Sequence, residues 1–176
     1  RGTNPFQGAA RTFFSHDSLQ STNTPAELAG SDSLKDGKAD HKAALPVHPS
    51  LSTVPREPVV IDQPCCKFEP HLVVLRIGKD LILRNSSPVA HNSNLAGFND
   101  VSLNPSLQPR TEIKLEAAKT RWRPWYVPST ISCGIHPWMS AKLFVLSHPY
   151  FVITDKDGNS ETKNAPASKL RLLVWH

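Results

Sequence analysis

Three donors with an affinity for soft or borderline metals fall within seven residues of the stretch SCGIHPWMSA: Cys133, His136 and Met139. Two residues separate each donor from the next, so a tight loop can aim all three at one point, and Pro137 stiffens that loop. Thiolate and thioether favour Cu(I), while imidazole serves both oxidation states of copper. A fourth ligand has to come from elsewhere, and His91 in PVAHNSN, just after the apolar run LILRN, is the best placed. Two imidazoles, one thiolate and a weak axial thioether form the blue-copper ligand set. A site held between the geometries preferred by Cu(I) and Cu(II) reorganises little when an electron arrives. Taken singly, the cysteine and methionine fit a packed core and the histidines an ordinary surface. Taken together, in this order, they point to a metal.

The elements that must position these residues read as strands. PVVID (58–62), LVVLRIG (72–78), DLILRN (80–85), TEIKLEA (111–117), KLFVLS (142–147), YFVIT (150–154) and KLRLLVW (169–175) are short runs rich in branched apolar residues. Turn signals lie between them, with Asp157-Gly158 predicting a hairpin. This pattern predicts an all-β sandwich or barrel. No segment has sustained helical periodicity, although TEIKLEAAKTRW has room for one turn of helix. Two connections break the rhythm: the polar segment Asn85 to Pro109, and the SCGIHPWMSA loop itself. Loops on a rigid scaffold are where sites sit. Residues 1–55 are polar, loop-rich and poor in periodicity, and form an N-terminal extension to a domain spanning 56–176.

Composition narrows the field. The chain has 176 residues, enough for one domain with a tail, and its 16 prolines against 8 glycines favour loops and sheet edges. The net charge of +5 comes from scattered residues, which argues against a nucleic-acid partner. KTRWRPWY (119–126) is read as a surface loop whose tryptophans anchor on the body. No run approaches the roughly 20 apolar residues of a membrane span. The chain begins at Arg1 and shows no signal peptide, so a leader already removed is compatible with it. DKDGNSE (155–161) holds a fragment of a calcium loop but reads as a turn. His16, His41, His48 and His148 read as surface residues, and HPYF as the start of a strand with core aromatics. No nucleophile elbow or phosphate-binding loop is present.

The combination HN upstream with C-x2-H-x2-M near the end resembles the cupredoxin family, and the loop spacing matches amicyanins. From about Val47 to His176 the chain is also similar to exported plastocyanin-like proteins of planctomycetes, through VHP, EPVVID, CKFEPH, NSSPVAHN, SCGIHPWMSAKLFVLSHPYFVITDKDG and VWH. The resemblance implies a Greek-key β-sandwich of cupredoxin type and one copper ion cycling between Cu(I) and Cu(II). It implies His91, Cys133, His136 and Met139 as the ligands, with Asn92 bracing the two ligand loops. Ile135 stands where amicyanins have proline, so its N–H is expected to donate to the thiolate and raise the potential. The resemblance also implies an exposed electron port at His136, ringed by Pro137 and Trp138 for docking. CCKFEPH departs from the family by carrying two adjacent cysteines.

Those cysteines leave several readings open. Cys66 can pair with Cys65, although a vicinal disulfide needs a strained peptide. It can pair with Cys133, which would remove the copper thiolate. With His71 it can join the copper or hold a second metal, as in the purple-copper centre, although Ser129 stands where that centre's loop has its second cysteine. It can also be a buried structural thiol. The leading function is a one-electron carrier outside the cytoplasm, periplasmic or extracellular, with a redox protein as partner. The alternatives are a copper-free structural or adhesive sandwich, in a homo-oligomer or surface assembly, and an enzyme with copper open to a small molecule. Met139 argues against that open site, so an electron carrier is favoured over an enzyme.

Overall fold

Short runs of branched apolar residues build the main strands of the sandwich. In chain order the computed structural model has β1 Arg11–Ser15, β2 Val59–Asp62, β3 Leu72–Arg76, β4 Leu81–Asn85, β5 His91–Asn92, β6 Leu95–Phe98, β7 Val101–Leu103, β8 Ser106–Leu107, β9 Thr111–Leu115, the single helical turn α1 Ala117–Thr120, β10 Trp125–Ser132, β11 Ser140–Leu146, β12 Phe151–Ile153 and β13 Arg171–Trp175. The structure describes residues 11–15, 46–98, 101–155, 157–166 and 171–175. His16 and His41 lie outside these residues, as do Lys169 and Leu170 at the head of the last expected strand. The chain divides into two compact units, one spanning Thr53–Ser147 and the other formed from residues before and after it.

The unit from Thr53 to Ser147 is an all-β sandwich. One sheet has the order β2-β4-β9 and the other β10-β11-β3. Each mixes a parallel pair, β2 with β4 or β3 with β11, and an antiparallel pair. Apart from the consecutive pair β10 and β11, neighbours in these sheets are not adjacent in chain order, so the connections cross between sheets. Period-two burial turns Leu81 and Leu83 of β4 inward and leaves Arg84 exposed. Ala141, Leu143 and Val145 of β11 join them, with Ile61, Val73 and Leu75, in one buried cluster shared by both sheets. Trp122 is 7% exposed within that cluster, so this tryptophan of KTRWRPWY does anchor on the body. Gly78, at φ +96°, makes the turn between β3 and β4, a backbone conformation that a side chain would strain.

The connection from Asn85 to Pro109 differs from its reading as a polar loop. It contains β5, β6, β7 and β8, which pair β5 with β8 and β6 with β7. Its serines and asparagines carry little β propensity, and strand pairing overrides that weak local signal.

In the other unit, β1 lies between β12 and β13 and is antiparallel to both. The turn at Asp157-Gly158 forms, with Gly158 at φ +84° and its N–H donating to the Asp155 carbonyl. It does not close a hairpin, because β1 occupies the place between the two strands. His148 is 3% exposed, against its reading as a surface residue. Its Nδ1 accepts from the Tyr150 N–H, and its ring stacks on Tyr150, which is fully buried. The Tyr150 hydroxyl accepts from the His48 N–H and donates to the Pro46 carbonyl.

Candidate metal centre

His91 is set in place from three directions. β5 pairs with β8, bringing His91 opposite Leu107. Asn94 and Ser132 exchange backbone hydrogen bonds of 2.8 and 3.2 Å, tying the His91 segment to the residue before Cys133. Asn85, fully buried at the end of β4, supports the segment leading into β5. Its Nδ2 donates to the carbonyls of Val89, Leu107 and Gln108, and its Oδ1 accepts from the N–H and hydroxyl of Ser87. Sequence reasoning missed Asn85 and Ser87. The signal was present in NSSP, since asparagine and serine side chains at such a turn bond nearby backbone.

The second arm is the loop between β10 and β11. The Met139 N–H donates to the His136 carbonyl at 2.9 Å, and the Cys133 N–H to the Met139 carbonyl at 3.3 Å. This closure curls Cys133, His136 and Met139 into one turn. Asn92 then joins the two arms, its Oδ1 accepting from the Gly134 N–H at 2.8 Å, the Ile135 N–H at 3.3 Å and the Cys133 thiol at 3.3 Å. Its Nδ2 donates to Asn104 Oδ1. The Ile135 amide therefore bonds the Asn92 carbonyl oxygen and not the Cys133 sulfur, as the sequence had led us to expect. An amide oxygen facing two successive N–H groups outcompetes a weakly accepting sulfur.

His91 Nδ1 and His136 Nδ1 stand 2.9 Å apart, and Cys133 Sγ lies 3.9 Å from the first and 3.8 Å from the second. Among the described residues these three form the group whose ligand atoms converge closely enough to share a metal ion. Metal–nitrogen bonds of ~2.0 Å and a metal–sulfur bond of ~2.3 Å at trigonal angles place N and S ~3.8 Å apart. The two N–S separations fit that triangle, while the imidazoles must part slightly to admit an ion. His91, Cys133 and Met139 are 0, 2 and 1% exposed, and Met139 shares the buried cluster with Cys133. His136 is half-buried, with the exposed Pro137 and Trp138 beside it. The Trp138 ring meets the His136 ring edge-on at 5.2 Å.

The remaining sequence candidates fall outside the converging group. All three cysteines are free thiols, with Cys133 buried in the group above. The Cys65 and Cys66 sulfurs face each other at 2.6 Å. The Cys66 thiol is pushed up, first by its hydrogen bond with Cys65, then by burial and nearby thiolate charge. His71 is exposed, and its backbone carbonyl accepts from the Lys142 N–H.

No family model matches the sequence, and no curated protein matches it. Solved structures do. An oxidised amicyanin variant is similar at 20% identity over 54% of this chain and 88% of its own, with a TM-score of 0.42. A copper-containing nitrite reductase from Thermus scotoductus is similar at 17% identity over 57% of this chain and 25% of its own, with a TM-score of 0.44. A purple cupredoxin from Nitrosopumilus maritimus is similar at 17% identity over 49% of this chain and 98% of its own, with a TM-score of 0.39.

Two measurements probe the arms without depending on the identity of the metal. Burial, and then the charge of His136, hold the His91 imidazole below its ordinary pKa. As pH falls through the ordinary imidazole range, the unfolded chain binds a proton that folded His91 does not. Stability is therefore complete above that range and declines as pH drops toward the depressed value, by up to about 1.4 kcal/mol per pH unit for one proton. Urea midpoints of the metal-free chain between neutral and mildly acidic pH should show this slope, and His91→Leu should flatten it. Asn92→Ala leaves two loop amides without their acceptor and should lower stability by about 1–2 kcal/mol. Metal affinity in a chelator competition should fall by roughly 10–100-fold, as for other ligand-orienting groups. Asn92→Asp keeps the acceptor for the two amides but loses the donor to Asn104 Oδ1 and buries a carboxylate, so it should recover only part of that stability.

Proposed function

We propose that the chain is a type 1 copper protein that carries single electrons outside the cytoplasm. The observation that carries this reading is the convergence of His91 Nδ1, His136 Nδ1 and Cys133 Sγ, each within 4 Å of the other two, from two separate arms of one sandwich. A His2Cys group with a weak thioether is the donor set of blue copper, and Met139, buried in the same cluster as Cys133, would supply that thioether. When bound there, copper supplies reversible one-electron chemistry. His91, Cys133 and Met139 exclude water from the site by their burial. Asn92 fixes the distance between the arms, so the ligand atoms hold their places in both oxidation states.

His136 is the ligand nearest solvent and serves as the electron port. Ile135 and Trp138, 54 and 69% exposed, give its rim an apolar docking face for a redox protein. Placement outside the cytoplasm rests on the resemblance of these motifs to exported plastocyanin-like proteins alone. No helix among the described residues is long and apolar enough to cross a membrane.

The test is reconstitution. Reduced chain titrated with Cu(II) should develop an intense thiolate-to-copper absorption and narrow hyperfine splitting, at one equivalent. A colourless complex, or a Cys66–Cys133 disulfide, would overturn the reading. A band with abnormal hyperfine structure would replace it with an open or binuclear site.

A further inference from the structure

Adjacent residues on an extended chain send their side chains to opposite sides. Cys65 and Cys66 do not. The Cys66 N–H turns back to the Pro64 carbonyl at 2.9 Å, and Cys66 takes φ 127°, a conformation that non-glycine residues rarely adopt. The result is two sulfurs on the same side, 2.6 Å apart. Their surroundings differ, since Cys65 is exposed while Cys66 is half-buried against the core cluster. The backbone of the pair is also engaged, because Trp138 Nε1 donates to the Cys66 carbonyl at 3.2 Å. We propose that Cys65 and Cys66 form a vicinal dithiol that closes to a disulfide by exchange with a small aliphatic disulfide, and that Trp138 registers the closure.

The exchange is balanced in two steps. The Cys65 thiolate attacks one sulfur of the incoming disulfide, whose S–S bond breaks and releases a first thiolate. This leaves a mixed disulfide at Cys65. The Cys66 thiolate then attacks the Cys65 sulfur, forming the intramolecular bond and releasing a second thiolate. The two protons lost by the cysteines end on the two released thiols, and the pair of electrons passes to the small disulfide, which is reduced. Exposure makes Cys65 the attacking group. Cys66, held beside it and half-buried, is the resolving group. Closure constrains the Cys66 peptide, whose carbonyl is the acceptor for the Trp138 indole. The exchange is independent of the copper reading, because neither cysteine belongs to the converging His91, Cys133 and His136 group.

The test uses the full-length, metal-free chain. It is incubated with excess oxidised glutathione, blocked with iodoacetamide and cut with trypsin after Arg56 and Lys67, so that both cysteines leave on one peptide. That peptide should be unlabelled and two hydrogens lighter, and prior treatment with dithiothreitol should restore both labels. Two labelled cysteines, a lasting glutathione adduct on Cys65, or a crosslink to the Cys133 peptide would each overturn the pairing. Cys133→Ser should close the pair as well as the parent chain does, whatever the fate of copper binding, and failure to do so would assign the oxidation to a route through Cys133. Tryptophan emission should fall on closure in the parent chain and stay constant in Trp138→Phe. An equal change in both would remove Trp138 from the proposal.

Discussion

The Cys133→Ser chain is expected to remain folded and to stay colourless when given Cu(II). Serine nearly matches cysteine in shape, and its hydroxyl can donate to Asn92 Oδ1 as the thiol does. The site is 2% exposed, so a polar group with that partner satisfied should change stability by no more than about 1 kcal/mol. The hydroxyl does not ionise at neutral pH and has no high-lying sulfur orbital to donate charge to the metal. His91 and His136 remain, so weak Cu(II) binding with wide hyperfine splitting should persist. Circular dichroism, visible absorption and electron spin resonance on the same samples separate loss of the thiolate from loss of the fold. An intense band surviving in this variant would mean that Cys66 or Cys65 supplies the sulfur, and the copper reading would have to move to that pair.

Asn85→Ala is expected to destabilise the chain more than removal of any ligand side chain, by about 3–5 kcal/mol. One fully buried amide serves the carbonyls of Val89, Leu107 and Gln108 and both donors of Ser87. Alanine removes that whole set of hydrogen bonds around the segment before His91. Asn85→Asp should be nearly as damaging, since a carboxylate accepts from Ser87 but cannot donate to three carbonyls. Ser87→Ala loses fewer bonds and should lose about 1 kcal/mol. Urea midpoints of the metal-free chains give this ranking. Because Asn85 supports β5 through Leu107, metal affinity should fall together with stability in Asn85→Ala. In Ser87→Ala it should fall much less.

The strands that build the sandwich were legible because their side chains follow the pleat. LVVLR and LILRN are short runs of branched apolar residues and TEIKL alternates, and β3, β4 and β9 cover those residues. The metal loop was legible because its donors lie close together along the chain, and the convergence of Cys133 with His136 is local. Its meeting with His91 was an inference from fold class, since His91 and Cys133 stand 42 positions apart in the chain. What stayed hidden depends on tertiary pairing. β5 to β8 form in a segment whose asparagines, serines and glycine have no strand preference. Nothing in RTFFS announces that it will lie between β12 and β13. The Ile135 amide was misread because Asn92 offered it a better acceptor than sulfur, a competition visible only once the loop is closed. Asn85 looked like a turn residue, and its burial gives it a larger part than that.

The parallel pairing of β3 with β11 sets Leu72 against Lys142 and Arg76 against Leu146, residues 70 apart in the chain. Bringing such distant segments together incurs loop-closure entropy before it returns any contact energy, and chains dominated by pairings of this kind fold in milliseconds to seconds. β11 begins one residue after Met139, so the second ligand arm is rooted in the strand that makes this long-range pairing. A metal offered during refolding would meet His91 and the loop donors as scattered, independent groups. Colour should therefore return no faster than the last sheet contacts, which would make the copper spectrum a clock for the rate-limiting step of folding.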